Sequence, residues 1–191
     1  MKTPPPQAVV IGVSAGGIKA LSDILPALPA DFPLPILVVL HLPADKDSLI
    51  TSLFADKCAL SVVEAEDKLP IEPGTIYFAP PDYHLLVEKG RYLSLSSEEP
   101  VLYSRPSIDV LFESAADVYG EGLIGIVLTG ANQDGAKGLQ AVTQAGGQAW
   151  VECPAHAYSA VMPEAAIALN PTATILSLDE MARRLQKAAL S

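Results

Sequence analysis

Residues 8–21 read AVVIGVSAGGIKAL, and this stretch decides the fold class. The run at residues 8–13 is apolar at almost every position, which predicts a strand buried on both faces. Apolar residues at helical spacing follow the glycines and predict a helix over residues 17–28, which the prolines at positions 26 and 29 interrupt. The stretch therefore predicts a strand, a glycine-rich turn and a helix.

The same alternation of strand and helix patterns continues along most of the chain. Between residues 74 and 96 it gives way to short strands, and Lys89-Gly90 predicts a hairpin turn there. We therefore expect an α/β fold: a doubly wound, mainly parallel sheet with helices on both faces and a small antiparallel excursion in mid-chain. We expect one domain over residues 1–191, with residues 1–7 flexible. The predicted strands are 8–13, 35–40, 60–65, 74–80, 83–88, 91–96, 123–130, 147–151 and 173–178, and the predicted helices are 17–28, 47–58 (capped by Asp47), 107–119, 135–146, 162–169 and 179–190.

Composition and charge exclude several classes of protein. Half of the 191 residues are hydrophobic and 18% are charged, which excludes a disordered chain. The formal net charge of −10 argues against sequence-independent binding of nucleic acid or an anionic membrane. The longest apolar run, LPILVVLHL at residues 34–42, is far shorter than the roughly 20 residues of a membrane-spanning helix. Cys58 and Cys153 have no metal-site spacing, so we expect a cytoplasmic protein without a metal.

Three residues suited to hydrolysis follow separate predicted strands. Ser14 follows the first strand, His41 follows the second, and Asp134 lies in the loop after residues 123–130. The carboxyl ends of parallel strands form the ligand-binding edge of such a sheet, so we expect these residues to meet. A serine needs a base to become a nucleophile, histidine is suited to that task, and a carboxylate fixes its tautomer. The trio predicts a Ser14 nucleophile, a His41 base and an orienting Asp134.

The sequence around Ser14 favours the same chemistry. Residues 12–16, GVSAG, fit the G-x-S-x-G pattern, in which small neighbours let a serine occupy a tight turn between strand and helix. Backbone N–H groups at that helix start could bind an oxyanion. The chain order Ser, His, Asp differs from the order Ser, Asp, His of α/β-hydrolases, so a triad here belongs to another fold.

A phosphate-binding loop is the alternative interpretation of residues 12–17. It also follows a strand and opens a helix, but Ser14 stands where a dinucleotide-binding loop has its second glycine. His41 stands where such a protein has the acid that holds a ribose. Both differences weaken the nucleotide-binding interpretation.

Simpler structural roles are open for several of these residues. His41 could be a structural histidine at a strand end, and Asp134 could cap the helix that follows it while orienting a histidine. Asp109 would support a helix start. His84 is a second candidate base, but we expect it to line a pocket or to be structural. Met162 precedes Pro163 at a predicted helix start, and we expect Met162 to line the pocket.

Several long motifs in order make the chain similar to a known family. These are IGVSAGG, VVLHLP, IYFAPPDYHLLV, SRPSIDVLFESAA, GIVLTGANQDGAKGL and MPEAAI, and they extend from about residue 8 to about residue 178. They resemble the catalytic domain of the chemotaxis protein-glutamate methylesterase family, CheB.

The resemblance implies an activity and assigns the site. It implies hydrolysis of glutamyl methyl esters on the cytoplasmic helices of chemoreceptors, with deamidation of receptor glutamines as a side activity and no metal or cofactor. The nucleophile, base and acid fall on Ser14, His41 and Asp134. The oxyanion donors would be the backbone amides of Ala15 and Ala131.

The chain also departs from the family pattern. The serine motif begins within the first fifteen residues, so we expect no receiver domain and no phosphorylation control within this chain; a partner acting in trans and constitutive activity are both open. Ala15 stands where many relatives have threonine, ANQDG replaces MGxDG, and VECPAHAYSAVMP replaces a QDP-type segment. A non-catalytic module that binds receptor helices or a signalling partner is the remaining alternative.

Overall fold

The computed structural model describes residues 4–42, 49–188 and 190, and it consists of a central sheet between two layers of helices. The strands are β1 (Ala8–Val13), β2 (Ile36–Leu40), β3 (Ser61–Glu64), β4 (Thr75–Phe78), β5 (His84–Glu88), β6 (Tyr92–Ser96), β7 (Leu123–Val127), β8 (Gln148–Glu152) and β9 (Thr174–Leu176). The α-helices are α1 (Gly17–Ile24), α2 (Ile50–Lys57), α3 (Ile108–Tyr119), α4 (Ala136–Gln144), α5 (Val161–Leu169) and α6 (Leu178–Ala188), and short 3₁₀ helices span Leu25–Ala27 and Gly120–Gly122.

Seven strands form one parallel sheet in the order β3-β4-β2-β1-β7-β8-β9. The first strand of the chain lies at its centre, where Ile11 pairs with Val38 on one side and Ile126 on the other. The strand order reverses direction at β1, so the carboxyl ends of β1, β2 and β7 border the crevice where ligands bind in such sheets. The predicted doubly wound fold is confirmed.

Hydrophobic cores lie on both faces of the sheet. Alternate residues of β1 point to opposite faces: Ile11 belongs to one core and Val10 to the other. Helices α1, α2 and α6 cover the face of Ile11, and helices α3, α4 and α5 cover the face of Val10. Burial on both faces explains why β1 and β2 are apolar at every position except Gly12.

The prediction for the middle of the chain is partly wrong. The predicted antiparallel excursion began at residue 74, but β4 is a parallel member of the main sheet, between β3 and β2. Its residues Ile76, Tyr77 and Phe78 are all buried, as an interior strand requires, and four residues were too few for the sequence to show this. Among the three strands predicted for this region, β5 and β6 form the antiparallel pair, and they are joined by the predicted Lys89-Gly90 turn.

Helix boundaries follow the predictions with small differences. The α-helix predicted over residues 17–28 ends at Ile24 and continues as a 3₁₀ turn, because Pro26 cannot donate a backbone hydrogen bond. The predicted cap Asp47 lies outside the described residues. In the described part of the chain, no helix combines the length and the apolar character needed to span a membrane.

Candidate active site

Three strand ends bring the predicted site residues to one edge of the sheet. Ser14 directly follows β1, His41 follows β2, and Asp134 lies in the loop between β7 and α4. The Nε2 atom of His41 lies 3.0 Å from Oδ2 of Asp134. Ser14 and His41 line one shallow cleft of about 260 Å³, formed by residues 14–19 and 40–42.

The turn that holds Ser14 is fixed by its backbone. The amide of Ser14 donates to the carbonyl of Thr129 at 2.9 Å, and the amide of Gly17 donates back to the carbonyl of Ser14 at 2.8 Å. Gly16 has a φ of 80°, in the left-handed region, and a Cβ there would lie 2.5 Å from the Cβ of Tyr158. Glycine is therefore required at position 16 by both conformation and space.

Asp134 is a fully buried carboxylate bound to the start of α3. Its Oδ2 accepts from the amide of Ile108 at 2.7 Å, and its Oδ1 accepts from the amide of Asp109 and the hydroxyl of Ser107, both at 3.0 Å. Burial alone would raise the pKa of Asp134, but the hydrogen bonds from His41 and from the two amides lower it below its ordinary value. The carboxylate is therefore ionised beside His41 at neutral pH.

Asp109 makes the reciprocal connection to α4. Its Oδ1 accepts from the amides of Gly135 and Gly138, at 2.9 and 2.7 Å. The cap of α4 is Gly135, without a side-chain hydrogen bond, so the simple expectation that Asp134 caps the following helix is wrong. Asp109 does support a helix start, as expected, but that helix is α4 and not its own. Each acid binds the start of the other's helix.

The second ring nitrogen of His41 faces Asn132. The side-chain carbonyl of Asn132 accepts from the amide of Asp134 at 3.0 Å, which turns the Asn132 amide nitrogen toward Nδ1 of His41, 3.4 Å away. Nε2 then carries the proton that points at Asp134, and Nδ1 is the acceptor. No hydrogen bond joins the Ser14 hydroxyl to the His41 ring among the residues that the structure describes. Catalytic hydrogen bonds commonly tighten only when a substrate is bound.

The predicted oxyanion donors have free amides. Within the described ranges, neither Ala15 N nor Ala131 N donates to an acceptor in the protein. Both residues lie at the carboxyl edge of the sheet, Ala15 directly after Ser14 and Ala131 in the loop that carries Asp134. Backbone amides without protein acceptors are the kind of donor that can stabilise the negative charge of a tetrahedral intermediate.

Comparisons with known proteins identify the family of the chain. Residues 9–185 match the CheB methylesterase family. The chain belongs to that family. A relative from Leptospira interrogans is 48% identical over 176 residues, which cover 92% of this chain and 91% of the relative. The protein-glutamate methylesterase/protein-glutamine glutaminase 1 of Dechloromonas aromatica is 39% identical over 93% of this chain, which spans 51% of its length.

A solved structure extends the likeness to the fold. The crystal structure of the Thermotoga maritima CheB methylesterase catalytic domain superimposes with a TM-score of 0.92 at 32% sequence identity. The match covers 96% of this chain and 99% of that domain. The resemblance to the CheB catalytic domain found in the sequence is thereby confirmed.

Thr129, which was not among the predicted site residues, joins the loop after Ser14 to the loop that contains Ser159. The Thr129 hydroxyl donates to the carbonyl of Ala15 at 2.8 Å and accepts from the amide of Ser159 at 2.8 Å. The Thr129 amide donates to Oε2 of buried Glu152 at 2.7 Å. Burial raises the pKa of Glu152, and the hydrogen bond from Thr129 opposes it. Thr129 and Glu152 both lie at the carboxyl ends of strands, and this position is the sequence feature from which they could have been proposed as candidates.

His84 and Met162 are placed differently from the pocket-lining positions expected for them. His84 is 2% exposed, and its ring is held by the carbonyl of Glu99 and the amide of Ser107. Met162 is fully buried and packs behind Gly130, whose Cβ would lie 2.5 Å from the Met162 Cε. His84 thus fills the structural role that was its other expectation, and Met162 supports the loop of Ala131 from behind.

The side chains and backbone amides of the site fit acyl transfer. Among residues 4–42, 49–188 and 190, no three His, Cys, Asp or Glu side chains come together as a metal site requires. His156 is exposed in a loop, and Cys58 and Cys153 are half-buried free thiols. The buried, ionised Asp134 beside His41 is the feature that a phosphate-binding loop would not need.

Proposed function

We propose that this protein is a serine esterase that hydrolyses glutamyl methyl esters in proteins, with Ser14, His41 and Asp134 as its triad. The observation that carries the proposal is the 3.0 Å hydrogen bond between His41 Nε2 and the buried, ionised Asp134, on a ring that shares a cleft with Ser14. This bond fixes the tautomer in which Nδ1 carries no proton and can accept one.

The reaction follows from these positions. The Ser14 hydroxyl oxygen attacks the ester carbonyl carbon and its proton passes to Nδ1 of His41, while the carbonyl oxygen becomes an oxyanion held by the amides of Ala15 and Ala131. The intermediate collapses, the C–O bond to the methoxy group breaks, and His41 gives the proton to the departing methanol. Water, deprotonated by His41, then attacks the acyl carbon; the bond to the Ser14 oxygen breaks, His41 returns the proton to that oxygen, and the glutamate side chain of the substrate leaves as a carboxylate.

The shape of the cleft supports a side-chain ester on a polypeptide as the substrate. The cleft is shallow and open, the exposed side chain of Ile18 belongs to its lining, and its volume of about 260 Å³ is enough for one ester side chain. We take the methylated cytoplasmic helices of chemoreceptors as that polypeptide, as family membership suggests, and glutamine deamidation would proceed by the same steps with ammonia leaving. The reaction would take place in the cytoplasm, and a separate regulatory protein in trans could control it.

Methanol release tests the proposal directly. Chemoreceptor cytoplasmic fragments carrying radiolabelled methyl esters would be incubated with the wild-type chain, with Ser14→Ala and with Ser61→Ala, a matched control on the exposed edge strand β3. We expect release from the wild type and Ser61→Ala, and a loss of up to about 10⁶-fold in Ser14→Ala. Equal release from Ser14→Ala and the wild type would refute the proposed nucleophile.

A receptor-binding module without turnover is the second candidate. The observation in its favour is that His41 Nδ1 faces Asn132, and no hydrogen bond joins it to Ser14 in the part of the chain that is described. Binding of the receptor fragment without methanol release from any variant would support this candidate over the esterase.

A further inference from the structure

We propose that Ser107 and His84 are positioning residues, which hold the carboxylate of Asp134 in register with His41. The proposal rests on the proposed function, because it concerns the acid of the same triad. Neither residue lines the cleft that contains Ser14. Both act through Asp134, along a continuous series of hydrogen bonds that starts on the β5–β6 hairpin side of the molecule.

Ser107 has a role beyond that of an ordinary helix cap. It is fully buried and precedes α3, and its hydroxyl oxygen lies 3.5 Å from the amide of Val110, at the long limit of a capping bond. The same hydroxyl donates its proton to Oδ1 of Asp134 at 3.0 Å. A cap needs only an acceptor, so an aspartate would serve equally well for capping. At this position an aspartate would face Asp134 with a second negative charge, whereas a hydroxyl can donate.

His84 fixes the backbone of Ser107. Its Nδ1 accepts from the amide of Ser107 at 3.1 Å, and its Nε2 donates to the carbonyl of Glu99 at 2.9 Å. These partners define one neutral tautomer, because a ring with protons on both nitrogens has no acceptor for the Ser107 amide. His84 is 2% exposed, so no water could take the place of its ring as the acceptor for the Ser107 amide.

The carboxylate orientation depends on this support. Oδ1 of Asp134 has two protein donors, the Ser107 hydroxyl and the Asp109 amide, while Oδ2 has the Ile108 amide and His41. All three donors other than His41 belong to three consecutive residues at the start of α3. Removing the Ser107 hydroxyl leaves Oδ1 with one donor and lets the carboxylate rotate away from the His41 ring.

Four variants and one control test the inference. Ser107→Ala removes the donor and Ser107→Thr retains it; His84→Leu removes both ring nitrogens, and His84→Asn retains an acceptor at the position of Nδ1. Ser114→Ala is the matched control, because the Ser114 hydroxyl joins α3 to the same hairpin through the Val87 amide but does not contact Asp134.

The kinetic readout separates positioning from general stability. We expect kcat for receptor methyl esters to fall roughly 10- to 100-fold in Ser107→Ala, the range for one hydrogen bond to a charged group, with KM nearly unchanged. Ser107→Thr should recover most of the rate, His84→Asn should lose less than His84→Leu, and Ser114→Ala should keep the wild-type kcat. Wild-type kcat in both Ser107→Ala and His84→Leu would overturn the proposal, as would an equal loss in Ser114→Ala.

A measurement without turnover keeps this inference separate from the proposed function. Proton NMR of the His41 Nε2–H reports its exchange with water, which should be faster in Ser107→Ala and His84→Leu than in the wild type and Ser114→Ala. Unchanged exchange would overturn the positioning role even in an active enzyme. Absence of methanol release from the wild type, together with faster exchange in the two variants, would refute the esterase and leave the positioning role intact.

Discussion

Replacing Asp109 with asparagine is expected to stabilise the protein above neutral pH. Burial raises the pKa of Asp109 to about 6, the Gly138 amide opposes this, and the negative charge of Asp134 adds to it. Asparagine keeps the acceptor oxygen for the amides of Gly135 and Gly138. Its added N–H group would take the place of the other carboxylate oxygen, and Asp109 lines a cavity of about 370 Å³ between α4 and α5. The variant therefore removes a buried charge and keeps both hydrogen bonds.

The size and the pH range of the effect follow from the raised pKa. A carboxyl group with a pKa of about 6 in the folded protein and 3.8 when unfolded binds its proton more tightly in the folded state. The wild type therefore loses stability as the pH rises from about 4 to about 6, and the loss stays constant above that range. At about 1.4 kcal/mol per pH unit, the loss is at most about 3 kcal/mol.

Urea denaturation of the wild type and Asp109→Asn between pH 4 and pH 8 measures this difference. We expect Asp109→Asn to be more stable by up to about 3 kcal/mol at pH 8 and equal to the wild type near pH 4. Asp117→Asn, an exposed position on the same helix, is the control and should change stability by less than about 0.5 kcal/mol at either pH. A variant less stable than the wild type at pH 8, or a difference that does not vary with pH, would refute the reasoning.

Two further substitutions test the loops around the site. Gly16→Ala introduces a methyl group in a left-handed conformation, 2.5 Å from the Cβ of Tyr158, so we expect unfolding to become easier by about 2 kcal/mol and methanol release to fall. Chemical denaturation and the methanol assay measure these effects, and wild-type values in both would show that the turn can shift at no cost. Glu152→Gln keeps an acceptor for the Thr129 amide and removes a buried charge whose pKa is raised by burial. We expect this variant to be more stable than the wild type at pH 8 and equal to it near the ordinary carboxyl pKa of 4.5; greater stability of the wild type at pH 8 in thermal unfolding would count against this.

Local pattern was enough to predict the fold class. The parallel strands β1 and β2 are buried on both faces, so their apolar runs predicted a covered sheet without knowledge of their neighbours. Strand β4 was assigned to the wrong sheet, because its partners β2 and β3 lie earlier in the chain and its four residues carry no period that distinguishes the two sheets. Pairing between distant segments is the part of the fold that local pattern does not record.

The site, like the fold, has features that could be predicted from local sequence and features that could not. That Ser14, His41 and Asp134 would lie at one edge of the sheet could be predicted, because each follows a strand and the carboxyl ends of parallel strands share an edge. The contacts of Ser107 and Thr129 could not be predicted, because they depend on which groups face these residues across the structure, although Thr129 also lies at the end of a strand. In the sequence, Ser107 is an ordinary helix cap and Thr129 an ordinary residue after a strand.

The two acids between α3 and α4 show how surroundings give one residue type two different states. Asp134 and Asp109 are both buried, and each accepts two backbone amides from the start of the other's helix. Their pKa values nevertheless move in opposite directions, that of Asp134 down and that of Asp109 up. The difference lies in what acts beyond the amides: the hydrogen bond and the charge of His41 lower the pKa of Asp134, whereas burial and the negative charge of Asp134 raise the pKa of Asp109. The reciprocal pair thus keeps one carboxylate ionised beside the base, and the cost in stability falls on the other.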